Sequence, residues 1–193
     1  MSPPPRILAF AGSLRSESYN KKLARLAAEA VRKAGGNVTL IDLRDFPLPI
    51  FDQDLEAASG MPENGKELKQ LFIEHQGLLI ASPEYNSSIP GVLKNAIDWV
   101  SRPAPGEPSL VAFTGKVAAL FRASPGALGG LRSLVHLRAI LGNIGALVLP
   151  EQLAISKANE AFQADGALKD VKQQASVERI AGRLVEVTRK LQA

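Results

Sequence analysis

The chain has 193 residues, 46% of them hydrophobic and 22% charged, with a formal net charge of +4. That is enough for one sizeable core and short for two, so we expect a single domain over 1–193, with residues 1–5 as a flexible N-terminal arm. The absence of cysteine excludes disulfides, iron–sulfur clusters, thiolate zinc sites and cysteine nucleophiles, so any redox chemistry has to be borrowed from a cofactor.

Apolar runs of β type alternate with segments of helical period. RILAFAG (6–12) reads as the first strand. After it, Leu23, Leu26, Ala27, Ala30, Val31 and Ala34 recur at the spacing of an amphipathic helix, which Gly35 and Gly36 should stop. NVTLIDL (37–43) is the second strand, and FPLPIFDQD (46–54) reads as a surface loop. KELKQLFIEHQ is a helix leading to the third strand, GLLIAS (77–82). PGVLKNAIDWVSR follows as a helix with Leu93, Ala96, Ile97 and Val100 as its apolar stripe and Pro90 in its first turn. RPAPGEP (102–108) is a second surface loop. KVAALFRAS (116–124) is the fourth strand, a helix is expected from Leu128 to about Leu141, and GALVLP (145–150) is the fifth strand. The last helix should run from Leu168 to Leu191, packing Val177, Ile180, Ala181, Leu184, Thr188 and Leu191 on the sheet.

Five Val-, Ile- and Leu-rich runs separated by helices indicate a parallel sheet buried on both faces. Right-handed crossovers then restrict the topology to a doubly wound α/β layout. No apolar stretch approaches the ~20 residues needed to span a bilayer, so a cytoplasmic protein without membrane insertion is expected. Lys and Arg are scattered, which fits a solvated surface that mildly attracts small anions and not a nucleic-acid interface. His75 and His136 lie far apart without metal-ligand spacing and read as helix-surface residues, so no metal site is expected.

In an open α/β sheet, ligands bind beyond the carboxyl ends of the strands. Three loops there are rich in Gly, Ser, Asn and Pro. The first, GSLRSESYN (12–20), has neither the GxGxxG spacing of dinucleotide sites nor the GK[ST] ending of a P-loop. It offers the hydroxyls of Ser13, Ser16 and Ser18, the Arg15 guanidinium, the Asn20 amide and free N–H groups at a helix start, a donor set suited to a terminal phosphate monoester. A plain serine cap beside a solvated arginine is the alternative. In the second loop, SPEYNSSIPG, Pro83 and Pro90 stiffen the chain, Tyr85 can stack on a planar ring, and Glu84 and Asn86 can hydrogen-bond its edge. Tyr85 covering a core edge, with Asn86 as a turn residue, is the alternative there. In the third, SPGALGG, Ser124, Gly126, Gly129 and Gly130 would let a backbone approach a flat ligand closely, or simply serve a strand-to-helix turn.

GSLRSESYN, SPEYNSSIPGVLKNAIDWVSR and SPGALGGLRSLVHLR, each following a strand, resemble the NAD(P)H-dependent FMN reductases, including their quinone- and chromate-reducing members. The match spans about residues 6–150. The resemblance implies a flavodoxin-like fold with strand order 2-1-3-4-5, the order that also illustrates FMN at a switch point in flavodoxin itself. It implies an FMN phosphate on Ser13, Arg15, Ser18, Tyr19 and Asn20, with the isoalloxazine against Pro83, Glu84, Tyr85 and Asn86, and Ser124 and Gly126 at its other edge. Tyr19 departs from the phenylalanine many relatives carry and keeps its packing role.

The resemblance further implies NADH or NADPH as electron donor and ping-pong two-electron reduction of quinones, azo compounds, oxidised metal anions such as chromate, or free flavin. No side chain is required as a nucleophile or obligatory acid. A homodimer or homotetramer is implied, with FPLPIFDQD and the LKNAIDWV helix as candidate contacts unless their apolar residues belong to the monomer core. Arg102 and Arg122 are conceivable partners for a 2′-phosphate but read as solvated surface residues. The rival readings are a flavodoxin-type one-electron carrier, against which the basic net charge weighs, and a phosphate-binding module without redox function.

Overall fold

The structure, a computed structural model, describes residues 3–126 and 131–192. Its frame is a parallel sheet of β1 (Arg6–Ala11), β2 (Asn37–Asp42), β3 (Gly77–Ala81), β4 (Val117–Ala123) and β5 (Leu147–Ile155), in spatial order β2-β1-β3-β4-β5. Successive strand residues point to opposite faces. Ile7, Ala9, Leu79, Ala81, Ala119 and Phe121 go to one core, whereas Leu8, Phe10, Leu78, Ile80, Ala118 and Leu120 go to the other. A sheet apolar on both sides has to be covered on both. On the first face lie α1 (Tyr19–Lys33) and α7 (Val171–Leu191). On the second lie α3 (Glu63–Glu74), α4 (Gly91–Val100) and α5 (Leu131–Asn143). This is the doubly wound layout expected from the alternation of strands and helices, in the flavodoxin-like order that the family resemblance implies.

The helical stripes are buried as their spacing requires: Leu23, Ala27, Ala30 and Val31 of α1, Leu93, Ala96, Ile97 and Val100 of α4, and Val177, Ile180, Ala181, Leu184 and Thr188 of α7. Leu191 departs from its stripe and is exposed, because α7 ends at that residue. Gly35 closes α1 with a φ of 84°. At Gly36 a Cβ would lie 2.7 Å from Val31 Cγ1, so close packing, not backbone freedom, demands the second glycine.

Three elements differ from expectation. β5 runs five residues past Pro150. It is an edge strand, where a missing N–H needs no partner. Between the pairs Ala118↔Val148 and Leu120↔Gln152, β4 advances by two residues and β5 by four, and this bulge absorbs the proline. The FPLPIFDQD stretch ends in a short helix, α2 (Gln53–Ser59), capped by Asp52, which accepts from the Asp54 and Leu55 N–H groups. A further short helix, α6 (Ala158–Ala161), precedes α7. The loop before α2 is pinned: the Pro49 carbonyl accepts from Asn95 Nδ2 and Trp99 Nε1 (2.8 Å each), and Phe51 N–H donates to Asn95 Oδ1 (2.8 Å). In LKNAIDW, the Asn and Trp thus hold a neighbouring loop, while the aliphatic residues form monomer core.

His75 is not on a helix surface. It is buried just after α3, where Nδ1–H donates to the Leu71 carbonyl (2.6 Å) and Nε2 accepts from the Thr39 hydroxyl (2.7 Å). Lys116 joins it at this helix end, donating to the carbonyls of His75 (2.5 Å) and Ile73 (3.3 Å). A cation suits the negative end of a helix. Burial, with Arg6 nearby, pushes the Lys116 ammonium down to about 8. In the neutral imidazole that burial favours, Nδ1–H goes to Leu71 and Nε2 is left to accept from Thr39. Burial lowers the His75 pKa, and the Leu71 carbonyl only partly opposes it.

The neutral imidazole contributes fully above pH 6.5, the ordinary histidine value. As the pH falls through that value toward the lower folded one, the unfolded chain takes up a proton that the folded chain resists, and stability is lost. Urea unfolding should therefore show a midpoint that drops between about pH 7 and pH 5. The drop should be smaller in His75→Gln.

Candidate active site at the switch point of the sheet

β1 lies between β2 and β3, so the chain leaves β1 for one side of the sheet and β3 for the other. The crevice beyond their carboxyl ends is where such sheets take ligands. The three glycine- and serine-rich loops meet there. Gly12 N–H donates to the Ala81 carbonyl (3.0 Å), Ser82 N–H to Phe121 (2.9 Å) and Ser124 N–H to Ile155 (2.9 Å), which sets their starting points side by side. The third loop is described as far as Gly126. Gly129 and Gly130 lie outside the described residues.

In the first loop, Ser18 is the residue before α1 and its side chain makes no capping bond. The first intrahelical bond there runs from Lys22 N–H to Ser18 C=O (3.1 Å), so the amides of Tyr19, Asn20 and Lys21 have no intrahelical acceptor. Ser13, buried, accepts from Arg15 N–H (3.3 Å). A hydroxyl that accepts still has its O–H to donate. Among the described residues, the exposed Arg15 guanidinium donates only to the Glu17 carbonyl (3.4 Å). This collection of N–H, O–H and guanidinium donors, with the positive end of α1 behind it, fits an acceptor-only dianion such as a phosphate monoester.

Asn20 and Tyr19 are engaged within the fold. Both ends of the Asn20 amide are bound to Ala123, Nδ2–H to its carbonyl and Oδ1 from its N–H, at 2.9 Å each. An anion would therefore meet the Asn20 backbone N–H, not its side chain. The Tyr19 ring stacks on Phe162 at 6.4 Å with a 5° interplanar angle, which is the packing role expected of it.

The second loop is a tight turn. Tyr85 and Ser88 exchange two backbone bonds of 3.0 Å, and Asn86 and Ser87 both have positive φ, 51° and 66°. Two such residues in succession make the primed turn type. α5 holds this turn from the side: His136, on the helix surface as expected, reaches Ser88 Oγ with Nδ1 (3.0 Å), and Arg132 reaches Ser87 Oγ (3.3 Å). The turn leaves Tyr85 exposed, two residues after the half-buried Pro83.

Glu84 points inward. Its carboxylate accepts from Arg122 Nη1 (2.6 Å) and from Ser133 N–H (3.0 Å). Arg122 is therefore not a surface residue: it is 2% exposed in β4, also binds Ser133 Oγ (3.2 Å), and is unavailable to a 2′-phosphate. Burial would raise the Glu84 pKa. The Ser133 N–H and the charges of Arg122 and Arg132 outweigh it and hold the carboxyl below the usual range. Arg102 is tied to Glu56 (2.8 Å) and lies over the Phe51 ring (5.3 Å).

Two features of the site escape sequence reading. One is the Glu84–Arg122 pair, since the two residues are 38 positions apart. The other is Arg44, which reaches the first loop from the far end of β2, binding Ser16 Oγ (3.1 Å) and the Leu14 carbonyl. Beside it opens a mostly apolar cavity of about 370 Å³, with Leu14, Leu43, Phe46, Val92 and Ala96 among its walls. Among the described residues, no group of three or more His, Cys, Asp or Glu is placed to hold a metal, and no helix is long and apolar enough to cross a membrane.

A parallel sheet ordered 2-1-3-4-5, with backbone and side-chain donors gathered at its switch point, is the flavodoxin-like layout. Residues 5–160 match the family model of the NADPH-dependent FMN reductases, and the chain belongs to that family. It is 39% identical over 181 residues to an NAD(P)H-dependent FMN reductase of Pseudomonas aeruginosa, covering 93% of this chain and 92% of the relative. It is 33% identical over 186 residues to a quinone reductase of Escherichia coli, covering 95% and 94%. Among solved structures, the flavoenzyme NAD(P)H:acceptor oxidoreductase FerB of Paracoccus denitrificans superposes with a TM-score of 0.81 at 30% identity, over 96% of this chain and 98% of that one.

Arg122→Met would strand the Glu84 carboxylate beneath the second loop. We expect a cost of about 2–4 kcal/mol in urea unfolding at neutral pH, somewhat under that of a wholly buried pair because Glu84 is partly exposed. The difference from wild type should shrink as the pH falls below 4.5, the ordinary value of Glu84, where protonation removes the stranded charge.

Proposed function

We propose that the chain binds FMN at this crevice and works as an NAD(P)H oxidoreductase for small acceptors, quinones foremost, with azo compounds, oxidised metal anions such as chromate, and free flavin as further members of the class. One observation carries the reading: the donors at the first loop suit a terminal phosphate monoester, and the turn that exposes Tyr85 stands beside them. FMN held there would supply two-electron redox chemistry between a nicotinamide donor, NADH or NADPH, and the acceptor.

The chain's own residues bind and orient. Ser13, Ser18, Arg15 and the amides of Tyr19 and Asn20 take the phosphate. Pro83, Tyr85 and the backbone around Asn86 take one side of the ring, and Ser124 and Gly126 approach its other edge. Ser124 is itself held by Ala158 N–H on its carbonyl (3.0 Å), while its hydroxyl accepts from Gly126 N–H (3.3 Å). Glu84 acts from below by anchoring the second loop. Backbone N–H groups aimed at the ring would stabilise negative charge on it, because they are oriented before the reaction begins. No side chain of the site is needed as a nucleophile.

The assembly we propose is a homodimer or homotetramer. Ile50, 78% exposed on a loop pinned by Asn95 and Trp99, offers a held apolar surface that supports it. Dependence on a nicotinamide donor fits a cytoplasmic setting.

The absorbance spectrum of the purified protein with FMN, followed by anaerobic addition of NADH or NADPH, tests the function. We expect a flavin spectrum that at least one nucleotide bleaches rapidly and a quinone restores. A protein indifferent to FMN would overturn the proposal. Arg15→Ala should weaken FMN affinity by about tenfold, the worth of one charge-assisted hydrogen bond, with turnover at saturating FMN little changed. Ile50→Asp should lower the sedimentation mass if its loop forms the subunit contact.

A further inference from the structure

Arg44 stands on a short 3-10 turn after β2, far in sequence from the first loop, yet the termini of its guanidinium are directed at that loop. Nη1 donates to Ser16 Oγ (3.1 Å) and Nη2 to the Leu14 carbonyl. A planar fork that binds two acceptors two residues apart fixes the backbone between them, which here is the backbone of Arg15. The base of the fork is itself held. Asp42 accepts from Arg44 N–H (3.0 Å) with one oxygen and from Lys21 Nζ (2.5 Å) with the other, and Lys21 is a buried residue of the first turn of α1. One chain of bonds thus runs from the amide end of α1 through the end of β2 to the tip of the loop.

The bond to Ser16 also orients a proton. A hydroxyl has one donor and two acceptor sites, and Arg44, which has no acceptor, can only occupy an acceptor site. The Ser16 O–H is left to donate, and the charge behind the oxygen polarises it. Ser16 and Arg15 are both exposed at the mouth of the loop, where an anion would arrive.

We propose that Arg44 is a positioning residue for the phosphate loop: it holds residues 14–16 in their binding geometry and makes the Ser16 hydroxyl an additional donor to the phosphate of the bound mononucleotide. The inference rests on the FMN reading above and adds to it two residues that act only where the ligand carries a phosphate.

The test is titration of the apo-protein with FMN and with riboflavin, which shares the ring but lacks the phosphate, followed by flavin fluorescence. Arg44→Ala should raise the Kd for FMN about tenfold and that for riboflavin less than about twofold. Ser16→Ala should weaken FMN several-fold, and the double variant should be little worse than Arg44→Ala alone, since the two share one interaction. Arg44→Lys keeps the charge but not the fork and should fall between Arg44→Ala and wild type.

An Arg44→Ala protein with unchanged FMN affinity would overturn the inference, as would equal losses for both flavins or a fully wild-type Arg44→Lys. Should Arg44→Ala not fold, Arg44→Lys and Ser16→Ala carry the same comparison. A wild-type chain that binds riboflavin as well as FMN overturns the phosphate loop, while one that binds neither overturns the FMN reading itself, and this inference with it.

Discussion

The amide of Asn20 is the contact on which the site depends. β3 pairs with β4 as far as Phe121 and then turns away, leaving Ala123 without a strand partner on that side. Asn20 takes the vacant place. A carboxamide carries the same donor and acceptor as a peptide, so the first turn of α1 docks on β4 as one more strand residue would. Without it, a buried N–H and a buried C=O would go unpaired, at about 1–3 kcal/mol each. The same bond pair sets the distance between the loop that offers phosphate donors and the loop that begins at Ser124.

Around that clamp, the polar residues of the crevice divide into two kinds. Some are consumed by the fold: Asn20 on Ala123, Glu84 on Arg122 and Ser133, Ser88 on His136. Others keep unspent donors: the Ser18 hydroxyl, the first amides of α1 and the Arg15 guanidinium. A phosphate needs the second kind, already oriented, and only the first kind can orient them. This explains a site with many polar residues and few free ones. It also explains why Arg122 is buried in a strand: a guanidinium that bridges Glu84 and Ser133 ties the second loop to the start of α5.

Much of the fold was legible beforehand, because strand alternation and helical period depend on which face meets the core, and burial is the largest energy involved. Leu93, Ala96, Ile97 and Val100 fell on one stripe for that reason and are buried. Legibility failed where a residue's surroundings came from distant parts of the chain. Pro150 looked like a strand end, since nothing local reveals that β5 is an edge strand with a bulge. His75 looked like a surface residue, since its partner Thr39 lies on β2. Asn20 and Glu84 were read as ligand-binding residues, but the groups their side chains bind lie on β4 and α5.

The sequence by itself therefore determined the doubly wound sheet, the three loops at its carboxyl edge and the family to which they point. The sheet and loops rest on periodicity and on glycine and proline placement, and the family on the resemblance of the loop motifs, all carried by neighbours in the chain. Only the tertiary structure decided which polar groups are free to meet a ligand. A hydrogen bond is spent according to what lies within about 3 Å of it in space, and for Asn20, Glu84 and Ser16 those partners stand 103, 38 and 28 residues away.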